Sequence, residues 1–192
     1  LTMEVSIALI LAAGLVLLGN HLSRIAAERH RKRLSATDVQ ALQHSLEVLQ
    51  FVQKHRGLGV QPDAAAAAQR VADFEPHCIL IEQLLESIHV LELRLVFQGN
   101  PQVSGMCEAC RALEDLGRLR GLAVRAANFE KCPLDMQIQM RYLCLRLTGP
   151  ISGDSLRNLI EHLECNLIDA PRVSLAPAEC YALITPIIDE RL

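Results

Sequence analysis

Leu49–Val60, LQFVQKHRGLGV, is the stretch on which the fold of this chain turns. Upstream, apolar residues fall at Val39, Leu42, Leu46 and Leu49, the three-then-four spacing that lays one stripe along an α-helix. Carried forward, the same count reaches Gln53, Arg56 and Val60, so a polar and a charged side chain stand where a core should be. Arginine is seldom fully buried unless it is paired. Arg56 therefore needs an acidic partner, a path to water or an anionic ligand.

Helix signals extend to either side of this stretch. Ser35 and Thr37 are N-cap candidates for a helix reaching about Arg56, with Asp38 in its first turn, and Gly57 and Gly59 mark its end. Pro62 and Asp63 open the next segment, Ala64–Ala68 favours helix, and Pro76 is expected to kink or divide it. Ile81, Leu84, Ile88, Leu91 and Leu95 then continue a stripe to Phe97, and residues 98–105, QGNPQVSG, form a loop.

A further helix is expected from near Ser104 to about Phe129, and another from Pro133 with Met136, Met140, Leu143 and Leu147 on one face. The alternation over Met136–Met140 also fits a short strand, but helical spacing explains more residues. Asp154 or Ser155 caps a helix to about Leu167, and Ala178–Leu192 forms a last helix interrupted at Pro186. Short connections between such helices favour an all-α, up-and-down antiparallel helical bundle.

The arginine has a counterpart. QKHRGLGV at 53–60 and GRLRGLAV at 117–124 share Arg-Gly-Leu-x-Val, and Arg56 and Arg120 hold the same phase of their stripes. Gly57 and Gly121 follow them, and glycine permits close approach of a neighbouring backbone or a small ligand. Two inward guanidinium groups would suit a small oxyanion, whose oxygens match their forked donors. The other reading pairs the arginines with Glu82, Glu86, Glu114 or Asp115 as structural ion pairs.

LQFVQKHRGLG resembles the L-x-x-x-Q-K/R-E-R-G-x-S signature that opens nitrate- and nitrite-sensing (NIT) domains, with His55 where glutamate is usual and Gly59 where serine is usual. The C-terminal IDAPRVSLAPAECYALITPIID is similar to that family's closing region, a variable turn before a helix carrying Tyr-x-x-Ile, here Tyr181, Ile184 and Ile188. The resemblance implies a helical bundle that binds nitrate or nitrite between helices and relays occupancy to an output module. It makes Arg56 and Gln53 ligand-binding residues. Where the family commonly places an arginine before the closing turn this chain has Glu164, Cys165 and Asn166, with Arg172 inside the turn. The expected ligand-binding set is thus Arg56, Gln53, Gly57, Arg120 and Arg172.

At the other end, VSIALILAAGLVLLG occupies residues 5–19, and no charged residue falls between Glu4 and Arg24. Nineteen uncharged positions span about 29 Å as a helix, close to a bilayer's hydrocarbon thickness. A signal peptide would have a basic start and a small-residue cleavage site, which this run lacks; a buried core helix is the other alternative. Arg24, Arg29, Arg31, Lys32 and Arg33 follow the span and no Lys or Arg precedes it, so the body is expected to face the cytoplasm. Residues 1–23 read as a single-pass inner-membrane anchor, 24–34 as a basic juxtamembrane segment and 35–192 as a sensor-like helical bundle.

Charge and motifs narrow the function classes. Residues 34–192 carry 14 of the 19 Lys and Arg and 20 of the 22 Asp and Glu, a net charge of −6, which is a poor surface for nucleic acid. Seven cysteines without a regular framework fit a reducing compartment, where buried Cys serves as a small apolar residue. Cys107-Glu-Ala-Cys110 is a lone CxxC, and His77-Cys78 does not complete a metal set, so neither a metal nor a cofactor is expected, with a redox role for the CxxC left open. No phosphate-binding glycine loop or nucleophile–base pair suggests an enzyme. His55 sits beside the stripe and is expected in solvent. The expected partners are a small anion (nitrate or nitrite), the inner membrane, and a signalling protein or second copy of the chain. The alternative is an anchored helical scaffold whose exposed stripe docks a partner helix, with no small-molecule ligand.

Overall fold

The computed structural model describes residues 2–58, 67–149 and 153–191, with side chains from residue 15 onward except at 16, 55, 57–58 and 67–75. Within them lie α1 (Thr2–Leu58), α2 (Ala67–Phe97), α3 (Met106–Ala126), α4 (Leu134–Leu147), α5 (Asp154–Leu163) and α6 (Pro177–Asp189). A 3-10 turn at Pro101–Val103 precedes α3, and a π turn at Glu164–Ile168 extends α5. No strand occurs among the described residues, and Met136–Met140 is helical.

Side-chain contacts fix the up-and-down order of the first four helices. Asp38 near the middle of α1 meets Arg94 near the end of α2, while Arg56 reaches Cys78. Glu82 reaches Arg118 on α3 whereas Glu92 reaches Cys107, and Asp115 on α3 meets Arg146 at the end of α4. Each neighbour therefore runs antiparallel to the last.

Two apolar clusters result. Leu42, Leu49 and Val52 of α1 pack with Ile81, Leu85, Ile88 and Leu95 of α2 and Cys107 of α3. The second cluster joins the C-terminal half of α3, from Leu116 onward, to α4, α5 and α6. Helix α3 is common to both, and Glu114 and Asp115 lie between its two apolar portions. The α4 stripe Met136, Met140, Leu143 and Leu147 is buried as its spacing requires.

Several boundaries differ from the sequence expectation. Helix α1 does not start at Ser35 or Thr37 but runs unbroken from Thr2, about 86 Å by helical rise. Thr37 Oγ1 donates back to the Arg33 carbonyl at 3.1 Å, and Ser35 Oγ accepts from Asn100 Nδ2 at 2.9 Å. A capping residue ends a helix only when the preceding chain leaves it, and RIAAERHRKRL at 24–34 consists largely of strong helix formers. Helix α2 passes through Pro76, and α6 through Pro186, without division; both prolines are exposed, so water can reach the carbonyl each leaves without its usual donor. Asp154 is the first residue of α5 rather than its cap.

Helix α3 starts at Met106 without a Ser104 cap, and ends at Ala126 rather than near Phe129. Gly105 precedes it with φ of +85°, a left-handed conformation that glycine adopts freely. The capping oxygens come from another helix: Glu92 of α2 accepts from Gly105 N at 2.6 Å and Cys107 N at 2.8 Å.

Among the described residues no helix is long and apolar enough to cross a membrane. Most of the 5–19 run read as an anchor lies outside the residues with described side chains.

Candidate functional site

Helix α1 delivers Gln53 and Arg56 from a face whose apolar members Leu49 and Val52 are buried. The guanidinium of Arg56 meets Glu114 of α3 in a two-pronged ion pair: Nη1 donates to Oε1 and Nη2 to Oε2, the latter at 2.8 Å. Gln53 Nε2 also donates to Glu114 Oε2 at 3.2 Å, and Arg118 Nε lies 3.3 Å from Oε1. Glu114 is 1 % exposed and Arg56 is 6 % exposed. Arg56 Nη1 is also 3.4 Å from Cys78 Sγ. Burial opposes the Arg56 charge, but Glu114, with help from Cys78, outweighs it and raises the pKa.

Gly117 is what allows this approach. A Cβ there would stand 2.9 Å from Arg56 Nη2, so the arginine lies over a helix position stripped of its side chain. The sequence singles out the glycines after each arginine, whereas the glycine beneath Arg56 belongs to the facing helix. Gly57 lies at the end of α1, outside the residues whose surroundings are described.

Arg120 has polar partners different from those of Arg56. Its Nη1 donates to Thr185 Oγ1 of α6 at 3.0 Å, and its guanidinium carbon lies 4.8 Å from the centre of the Tyr181 ring. Thr185 in turn donates to the Tyr181 carbonyl at 2.8 Å. Among the described residues Arg120 enters no ion pair, and its buried Nε has no hydrogen-bond partner. Burial lowers its pKa; the field of Arg56 adds to this, while Tyr181 and Asp189 oppose it. Arg172 is on the surface beside Glu130 at 3.8 Å. Glu130 lies beyond the end of α3, which is about 18 Å along the helix from Glu114. Arg172 therefore lies away from the Arg56–Glu114 pair.

Thr185 carried no sequence signal, because a threonine in an apolar helix is unremarkable until its neighbour is known. Glu114 was one of four acidic candidates, and the register of α3 against α1 selects it.

Beside Glu114, the buried Asp115 meets Arg146 Nε at 3.0 Å. Burial outweighs Arg146 and, with Glu114 adding, raises the Asp115 pKa from 3.8 to about 6. The folded state thus holds a proton that the unfolded chain has released. The group's contribution to stability is full below pH 3.8 and is lost as pH rises through about 6. Asp115→Asn cannot ionise there, so urea melts are expected to show its stability rising relative to wild type between pH 4 and pH 7.

All seven cysteines are free. Burial pushes the Cys144 thiol up to about 12 and Cys180 up to about 11, values that suit packing rather than nucleophilic work. Compared with family models, curated proteins and solved structures, the chain matches none of them.

Proposed function

We propose that this chain is a membrane-anchored binding domain that takes a small oxyanion, nitrate or nitrite first among them, against Arg120 in the α3–α6 seam. One observation carries the reading: the half-buried, permanently charged guanidinium of Arg120 has a buried Nε donor without a hydrogen-bond partner and no carboxylate among the described residues. Desolvating such a charge without an anion is costly, and a planar oxyanion accepting from Nε and an Nη would offset that cost. Arg56, which the NIT resemblance made the ligand residue, instead joins α1 to α3 through Glu114. A ligand that shifts α3 against α6 would therefore act on α1 as well, because α3 belongs to both apolar clusters.

Attachment at the inner membrane, with the bundle toward the cytoplasm, follows from the uncharged run and its basic flank. Exposed Leu15, Leu17, Leu18 and Leu22 support that reading. The role is binding and signalling rather than catalysis.

Thermal melts of the full chain in nitrate, nitrite or chloride test this. An oxyanion at 100 times its dissociation constant should add about 2.7 kcal/mol. Arg120→Ala should abolish the shift, and Arg172→Ala should keep it. An equal shift in Arg120→Ala, or none at tens of millimolar nitrate, would overturn the assignment.

The scaffold reading draws on a separate observation. Leu134, Ile138, Tyr142 and Leu145 form a stripe on α4 opposite its buried face, with exposures of 70, 60, 58 and 75 %. Asp135 and Arg146 flank this stripe on one side near its two ends. Antiparallel packing against a second copy would set each Asp135 beside the other copy's Arg146. No oxyanion shift, together with a mass that doubles with concentration, would favour this reading.

A further inference from the structure

Helices α2 and α3 bring together three side chains that can ligate a metal, His89, Glu92 and Cys107. His89 and Glu92 are three residues apart on α2, as are Cys107 and Cys110 on α3, and that spacing puts each pair on one helix face. In the antiparallel register, a ring nitrogen of His89, a carboxylate oxygen of Glu92 and Cys107 Sγ all lie within 4.8 Å of one another. We propose that these three, joined by Cys110 one helical turn away, bind a single borderline-soft divalent cation, of which zinc(II) fits the donor set best.

The donors and their surroundings suit that ion. Bonds of about 2.0–2.3 Å in a tetrahedral zinc site put neighbouring donors roughly 3.3–3.8 Å apart, so the three clustered donors need to close by up to about 1.5 Å, and Cys110 Sγ has to turn toward them. Glu92 and Cys107 are buried while His89 is exposed, which combines shielded donors with a route from solution.

Glu92 is already oriented by N–H bonds from Gly105 and Cys107, and each of its oxygens keeps a lone pair for the ion. Cys107 Sγ donates to the Leu85 carbonyl at 3.4 Å, and a bound cation would replace that proton. Binding forms two metal–sulfur bonds and releases two thiol protons to solvent, with no change of oxidation state. An occupied site would tie α2 to α3 independently of any anion at Arg120.

Cobalt(II) titrated into the reduced, chelator-stripped full chain reads the site directly. The expected result is visible d–d absorption and a near-ultraviolet thiolate charge-transfer band, saturating at one ion per chain and displaced by zinc. His89→Ala removes an exposed side chain, so it should leave the helical circular dichroism intact and weaken binding by about tenfold or more. Cys107→Ser should abolish tight binding, and Cys110→Ser should about halve the charge-transfer intensity. Cys165→Ser, at an exposed thiol outside the cluster, should change nothing. A missing charge-transfer band, a band unaltered in both His89→Ala and Cys107→Ser, or a band lost in Cys165→Ser would overturn the proposal.

Discussion

Glu114→Ala is expected to cost about 3–5 kcal/mol, the range seen when one member of a buried ion pair is removed and the other stays. Glu114 receives hydrogen bonds from Arg56 and Gln53 and an ion-pair contact from Arg118. Without it, the Arg56 charge stays buried, with Cys78 Sγ among its remaining contacts and the Arg118 charge nearby. The double variant Arg56→Met/Glu114→Leu removes both charges while keeping bulk, and should lie close to wild type or above it. Urea denaturation measures both, with the loss appearing in the midpoint at constant m-value. The effect should persist in molar salt, because a buried pair is screened far less than surface pairs such as Arg172–Glu130. A Glu114→Ala loss below about 1 kcal/mol would mean that the pair is worth no more than a surface bridge.

The helix class, and the burial of particular faces, could be read from spacing because a core-facing stripe leaves a periodic trace. Met136, Met140, Leu143 and Leu147 show this directly. Spacing also placed Arg56 in the interior, and arginine chemistry required a partner there. It could not choose between Glu114 and the other acids, since periodicity fixes the phase of a residue on its own helix and not the residue opposite. The matched Arg-Gly-Leu-x-Val segments show the same limit: Arg56 ends in a carboxylate pair, whereas Arg120 ends against Thr185 and Tyr181.

Helix boundaries depart from the sequence expectation for a related reason. Ser35 and Thr37 are good caps only where the chain before them is not helical, and the segment ahead of them propagates helix. The His89-x-x-Glu92 pair has no meaning in isolation. It becomes a companion to Cys107-x-x-Cys110 only through the turn that folds α3 back on α2.

That turn depends on Glu92, and Glu92→Ala is expected to cost about 3–5 kcal/mol in chelator-treated protein. The first turn of α3 has backbone donors without intrahelical acceptors, and no side chain at its own N-cap supplies one. Glu92 accepts two of them, from Gly105 and Cys107, and its charge faces the positive end of the helix. Hydrogen bonds to a charged group contribute about 1.5–3 kcal/mol each, and the dipole adds up to about 2 in a partly buried setting. These terms overlap, so the expected total lies below their sum. Glu92→Gln keeps one acceptor oxygen and loses the charge, and should fall between alanine and wild type. Hydrogen exchange locates the effect: the Cys107 amide should lose protection in Glu92→Ala, while the Leu143 amide, within α4 and the second cluster, should change only with global stability. Equal loss at both amides, with a global change under about 1 kcal/mol, would show that α3 holds its first turn without help from α2.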